Sequence, residues 1–176
     1  MTTEDVFGAE SLEREAARSL AEALALVVHR RGREPRERHR RLLERAIDQA
    51  ERALSAAGAT TWRARSILAR AYAARAEDAL HGAGQLSLSA QRAPTPEACD
   101  EGWRRVERIV GAAEDASHAA GRAAGAMAGD SSSVARAARA AACRADAAAR
   151  AARKLVDDRN HAYTFHTDPG FSFGEG

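Results

Sequence analysis

Large apolar side chains are scarce in this chain: Leu, Ile, Val and Phe together make up 26 of its 176 residues, and aromatic residues are 5%. So few β-branched and aromatic residues leave a sheet-based enzyme fold without the side chains that pack on a pleated surface. Disordered chains share this poverty but carry a large net charge, whereas here 27 basic residues nearly cancel 25 acidic ones. Lysine is almost absent, with Lys154 alone among 26 arginines. Because Leu155 follows it, the Gly-Lys-Ser/Thr of a phosphate-binding loop is missing. GC-rich coding also produces such an arginine bias, so arginine content by itself does not indicate nucleic acid. Cys99 and Cys143 form no CxxC pair, and no run approaches the roughly 18 apolar residues of a membrane span. The opening MTTEDVFGAE is acidic and lacks the apolar stretch of a signal or transit peptide. A reducing cytoplasmic setting, with no membrane partner, is expected.

What the chain has instead is alanine, 45 residues of it. Alanine is the best helix former, and Arg and Glu rank close behind, so the expected fold class is all-α, a bundle of about five helices. Gly and Pro punctuation divides the chain into helices over about 11–31, 35–57, 61–81, 96–128 and 131–160, with a crossover loop over 83–95 and a tail over 161–176. The first helix carries Leu12, Ala16, Leu20, Leu24 and Val27 on one face. The second has Pro35 as its first helical residue and carries Leu42, Leu43, Ala46, Ile47, Ala50, Ala53 and Leu54. The third is capped by Thr61 and buries Trp62, Ile67, Leu68, Tyr72 and Leu80.

The second half is more regular. Cys99, Trp103, Val106, Val110, Ala113, Ser117, Ala120, Ala124 and Met127 step alternately by four and three, an unbroken heptad seam. After a cap at Asp130 or a following serine, Val134, Ala138, Ala141, Ala145, Ala148, Ala152 and Leu155 repeat the pattern. These two helices form an antiparallel hairpin in which the cysteines are offset too far for a disulfide. Trp103 and Val106 face Leu155 and Val156 at its open end, while its tip is nearly all small residues. Each buried CH₂ contributes about 0.8 kcal/mol, so an alanine seam holds the hairpin weakly and the tip has to pack on the first three helices or on another chain.

Two segments are candidates for contact with partners. HRRGREPRERHRR, residues 29–41, brings Arg30, Arg31, Arg33, Arg36, Arg38, Arg40 and Arg41 to one helix junction, a pattern that attracts phosphates, although Glu34 and Glu37 dilute it and no aromatic interleaves it to stack a base. The tail, HAYTFHTDPGFSFGEG, holds four of the eight aromatic residues and no arginine. Tyr163 and Phe165 fall on one side of one arm and Phe171 and Phe173 on one side of the other, with Asp168-Pro169-Gly170 between them suited to the turn of a β-hairpin. Such a hairpin is marginal alone and requires a surface, either its own bundle or a partner.

Catalytic patterns are weak. Neither HExxH nor the ExxH of di-iron bundles occurs, and His161, His166 and Asp168 make too small a set for a metal, so no metal or cofactor is expected. Gly170-Phe171-Ser172-Phe173-Gly174 is formally GxSxG, but only Glu175 and Gly176 follow it, where a nucleophile elbow needs a helix and then acid and histidine partners. His118, the most interior candidate for a third reading as a helical enzyme or metal site, lies one position from the Ser117 seam and is expected at the helix interface. The expected function is a non-enzymatic interaction or assembly protein that contacts another protein or itself through the tail. The alternative is a nucleic-acid-binding accessory protein using the arginine-rich 29–45 segment.

Overall fold

The alanine-rich stretches form five α-helices in the computed structural model, which describes residues 3–26, 33–56 and 61–167, with side chains over 8–26, 36–56 and 61–160. They are α1 (Thr3–Leu26), α2 (Arg33–Ala56), α3 (Trp62–Gln91), α4 (Pro96–Gly125) and α5 (Ser133–Thr167). There is no strand among the described residues, and no helix there is long and apolar enough to cross a membrane. The bundle is centred on α3, which packs against all four other helices, while α1 and α2 pair as a hairpin on one side of it and α4 and α5 pair on the other.

Packing resolves the alanine shortage. The tip of the α4–α5 hairpin, with Ala120, Ala124, Met127, Ala135, Ala138 and Ala141, shares one core with Leu20, Leu43, Ile47, Ile67 and Leu68 of the first three helices. A second core at the open end gathers Trp103, Val106 and Val110 against Ala83 and Ala90 of α3 and Ala152 and Val156 of α5. Because α4 must face both α3 and α5, its buried band is wider than a two-helix seam: Ala116 and Ala123 are buried too, while Cys99 and Ser117 are only half-buried. On α5, likewise, Ala135, Ala149 and Val156 are buried and Val134 and Leu155 half-buried. Both thiols are free.

The expected crossover loop over 83–95 is replaced by helix as far as Gln91. Ala83, Ser87 and Ala90 are buried at helical spacing, and the Ser87 hydroxyl donates to the Gly84 carbonyl at 2.9 Å. Small residues carry the helical period here without the bulky side chains that would reveal it, and packing on Trp103 overrides the helix cost of Gly82 and Gly84, about 1 kcal/mol each. The connection shrinks to residues 92–95, where Thr95 Oγ1 accepts the Ala98 N–H as an N-cap. At the other hairpin turn Ser132 is the cap: its Oγ accepts the Ala135 N–H, and Asp130 accepts from the Ser132 N–H and hydroxyl.

Other expectations are corrected at helix ends. Thr61 precedes α3 in extended conformation but makes no side-chain cap hydrogen bond. Trp62 is 47% exposed, because helix side chains lean toward the N-terminus and the first residue leans off the end of the bundle. Pro35 lies in the first turn of α2 rather than at its start, where its missing N–H still costs nothing. The first helix begins at Thr3 and ends at Leu26, with Leu12 and Leu24 half-buried; Val27 lies outside the described residues. Tyr163 and Phe165 sit on the helical backbone of α5, not on an extended arm, since a helix already nucleated over thirty residues gains one hydrogen bond per residue and outcompetes a short alternating pattern. The proposed turn and second arm, 168–176, lie outside the described residues.

Two substitutions test this packing. An alanine replacing a mid-helix glycine ordinarily gains up to about 1 kcal/mol, but at Gly102 the new Cβ would stand 2.7 Å from Ala90 Cβ and 3.1 Å from its Cα, forcing α3 and α4 apart. Gly102→Ala is therefore expected to lower stability by about 1–3 kcal/mol in urea denaturation, and a raised midpoint would falsify the close crossing. Glu13 occupies a core position of α1 between Ala9 and Ala16, only 7% exposed, and its Oε1 has no hydrogen-bond partner among the described residues. Glu13→Leu is expected to raise stability by about 1–3 kcal/mol; a lower denaturation midpoint would show the carboxylate to be a needed contact.

Candidate functional site

The arginine-rich start of α2 splits by face. Arg36, Arg38, Arg40 and Arg41 are exposed, whereas His39 among them is turned into the bundle and is 1% exposed. Its Nδ1 is 2.8 Å from the carbonyl oxygen of Ala23 on α1, and its Nε2 is 2.9 Å from Asp78 Oδ2 on α3. A carbonyl only accepts, so Nδ1 donates, and the doubly protonated ring satisfies both oxygens at once. One imidazole thus ties three helices together by bridging the Ala23 carbonyl and the side chain of Asp78, which is 29% exposed. His39 was hidden in sequence by its arginine neighbours. The available signal is its spacing, four residues before Leu43 and seven before Ala46, a heptad core position.

Beside this tie lies a cleft of about 530 Å³ between α2, α3 and α4. Leu43, Ala79, Gly82, Ile109 and Ala112 give it apolar walls, and Arg36 and Arg40, one turn apart on α2, line it together with Arg75 of α3. Among the described residues, none of these three guanidinium groups has a carboxylate within ion-pair distance. Asp78 and Glu44 also line the cleft, as does His81, but Asp78 is engaged by His39. The cleft therefore holds an excess of positive charge next to apolar surface.

No protein family, curated protein or solved structure matches the chain. The side chains themselves must carry the functional reading, and the other grooves are poorer candidates. On the outer face of α4 and α5 a groove carries Glu114, His118, Asp146, Arg150, Arg153 and Lys154. These charges are already answered: Arg153 holds Glu114 through two hydrogen bonds of 2.8 and 2.6 Å, Arg150 pairs with Asp146, and Lys154 with Asp158. The Arg153 hydrogen bond holds the Glu114 carboxyl below the ordinary 4.5. In a smaller groove lined by Glu51, Arg65, Tyr72 and Arg122, Tyr72 donates its hydroxyl to Glu51 at 2.9 Å, and burial followed by that bond raises the phenol above 10.0.

Of the candidate contact residues, the structure brings Arg36 and Arg40 into the cleft and adds Arg75, which the sequence did not single out. Arg38 and Arg41 are exposed on other faces of α2. Arg33 begins α2, and Arg30 and Arg31 lie outside the described residues, as do Phe171 and Phe173. His118 is exposed rather than lodged at the interface, because Ser117 itself is only half-buried and the next position turns further outward. Among the described residues no three His, Cys, Asp or Glu side chains group as a metal site.

Proposed function

We propose that this protein is a non-enzymatic α-helical interaction protein that takes an anionic partner in the arginine-lined cleft between α2, α3 and α4. The observation that carries this reading is the convergence of Arg36, Arg40 and Arg75 from two helices on one apolar-walled cleft with no carboxylate paired to them among the described residues. Guanidinium groups left unpaired in a recess form strong charge-assisted bonds to carboxylate or phosphate oxygens. The interleaving of α2 arginines with Glu37, Glu44 and Asp48 favours a local acidic contact, such as a segment of protein, over a long nucleic-acid strand, which needs a continuous basic track. The aromatic tail is the second proposed contact, on the strength of its four aromatic residues. A cytoplasmic setting is part of the proposal, supported by two thiols that a reducing compartment preserves.

The test is a titration of the full chain with a fluorescent deca-glutamate peptide and, separately, a single-stranded oligonucleotide, at two salt concentrations. Binding of the peptide that weakens with salt, and falls at least roughly tenfold in Arg36→Ala/Arg40→Ala/Arg75→Ala, is expected. Equal affinity in the triple variant would remove the cleft from the function, and a stronger salt-dependent response to the oligonucleotide would favour nucleic acid.

A further inference from the structure

We infer that the partner of the cleft is the C-terminal segment of a second copy of this chain, so that the protein self-associates head to tail. The inference rests on the cleft being an anion-binding contact, as proposed above, and it adds the identity of the occupant.

The chemistry of the two parts is complementary. Residues 168–176, DPGFSFGEG, hold Asp168 and Glu175 with no Arg or Lys, and between them Phe171 and Phe173 at a spacing of two. In an extended peptide that spacing sets both rings on one side, flanked by the carboxylates. The cleft offers the matching pattern: Ile109, Ala79 and Ala112 as accessible apolar wall, with Arg36, Arg40 and Arg75 around them. Guanidinium groups also rest favourably on aromatic faces, a contact already present here in Arg159, whose guanidinium stands 5.0 Å from the Trp103 ring centroid. Of the remaining cleft charges, Asp78 is tied to His39, leaving Glu44 as the carboxylate opposing an acidic peptide.

The register of the helices requires the tail to come from another molecule. Arg159 of α5 lies level with Asp100 of α4, to which it is ion-paired at 2.9 Å. Thr167 ends α5 eight residues beyond that level, about 12 Å along the axis, whereas Ile109 in the cleft lies nine residues to the other side, about 13 Å. The axial separation is thus roughly 25 Å before any sideways path from α5 around to α2 is added. From Thr167, an extended chain carries the Phe171 Cα at most about 14 Å and the Phe173 Cα about 22 Å, and a phenyl ring adds about 5 Å. Phe171 falls short of the cleft of its own molecule, so the two rings cannot both seat there. A tail that fits a cleft it cannot fill in its own molecule makes a heterologous contact, which propagates from copy to copy.

The experiment is a charge-swap complementation in the full chain. One variant reverses the cleft, Arg36→Glu/Arg40→Glu, at two exposed positions, and the other reverses the tail, Asp168→Arg/Glu175→Arg. Mass is followed by light scattering over a concentration series. The wild-type chain is expected to gain mass with concentration, each variant alone to need at least tenfold more protein to do so, and the equimolar mixture to regain mass at lower concentration than either variant alone, because intact tail meets intact cleft and reversed tail meets reversed cleft. Phe171→Ala/Phe173→Ala is expected to behave like the tail reversal, with unchanged helical circular dichroism. Self-association that persists in both variants, or a mixture that stays monomeric while wild type associates, overturns the inference. A wild-type chain that stays monomeric while the deca-glutamate probe still binds in an Arg36- and Arg40-dependent way also overturns it and leaves the anion-binding reading standing. Loss of both would end both.

Discussion

Replacing Trp103 with alanine is expected to cost about 3–5 kcal/mol, a large share of the 5–15 kcal/mol that holds a typical domain together. Trp103 is 4% exposed and is the one aromatic ring in a core whose other fully buried members are Val106, Val110, Val156 and alanines, with Leu80, Leu86, Ile109 and Leu155 packed at its edge. The buried alanine neighbours have no side-chain reach with which to close the cavity, so only the edge residues can relax into it. The loss extends to Arg159, which is 17% exposed, rests over the ring and is ion-paired to Asp100. Urea denaturation of Trp103→Ala beside Trp103→Phe provides the measurement, with Trp62, half-exposed at the opposite end of α3, available as the fluorescence control. A loss below about 1 kcal/mol for the alanine variant would mean that Trp103 is not packed as described.

The second large effect is expected at His39. Removing one member of a buried ion pair costs about 3–5 kcal/mol because the remaining charge stays desolvated, and the partial exposure of Asp78 lowers this to about 2–4 kcal/mol for His39→Ala. The Ala23 carbonyl loses its partner in the same step, so α1 and α2 are expected to loosen from α3 before the α3–α4–α5 unit opens. Backbone amide exchange should show faster exchange in α1 than in α4. The double variant His39→Ala/Asp78→Ala should be less destabilised than the sum of the two single changes; strict additivity would deny the pair. Because Asp78 then faces the cleft without the His39 contact, His39→Ala is also expected to weaken binding of the acidic probe.

The seams of α2, α4 and α5 were legible because Leu, Val and Trp mark them, and the junctions because Pro, Gly and Thr95 mark them. The end of α3 was not, because Ala83, Ser87 and Ala90 carry a helical period in side chains too small to distinguish a buried face from a polar linker. At the candidate site Arg36 and Arg40 were visible as part of a cluster, but Arg75, thirty-five residues further along, joins them only through the α2–α3 packing. His39 lay inside a run of charges whose bulk character pointed to solvent.

The sequence by itself therefore determined the class of this protein, because helix propensity and the spacing of apolar positions are local properties that alanine, arginine and the heptad steps express within a few turns. It also determined where large core residues are missing. Which neighbour covers the alanine tip, which way His39 points and which arginines meet in one cleft were decided only by tertiary structure. Those outcomes depend on the facing of helices distant in the chain, where an alanine contributes close approach instead of bulk and a polar side chain enters the core only when partners such as Ala23 and Asp78 are already in place.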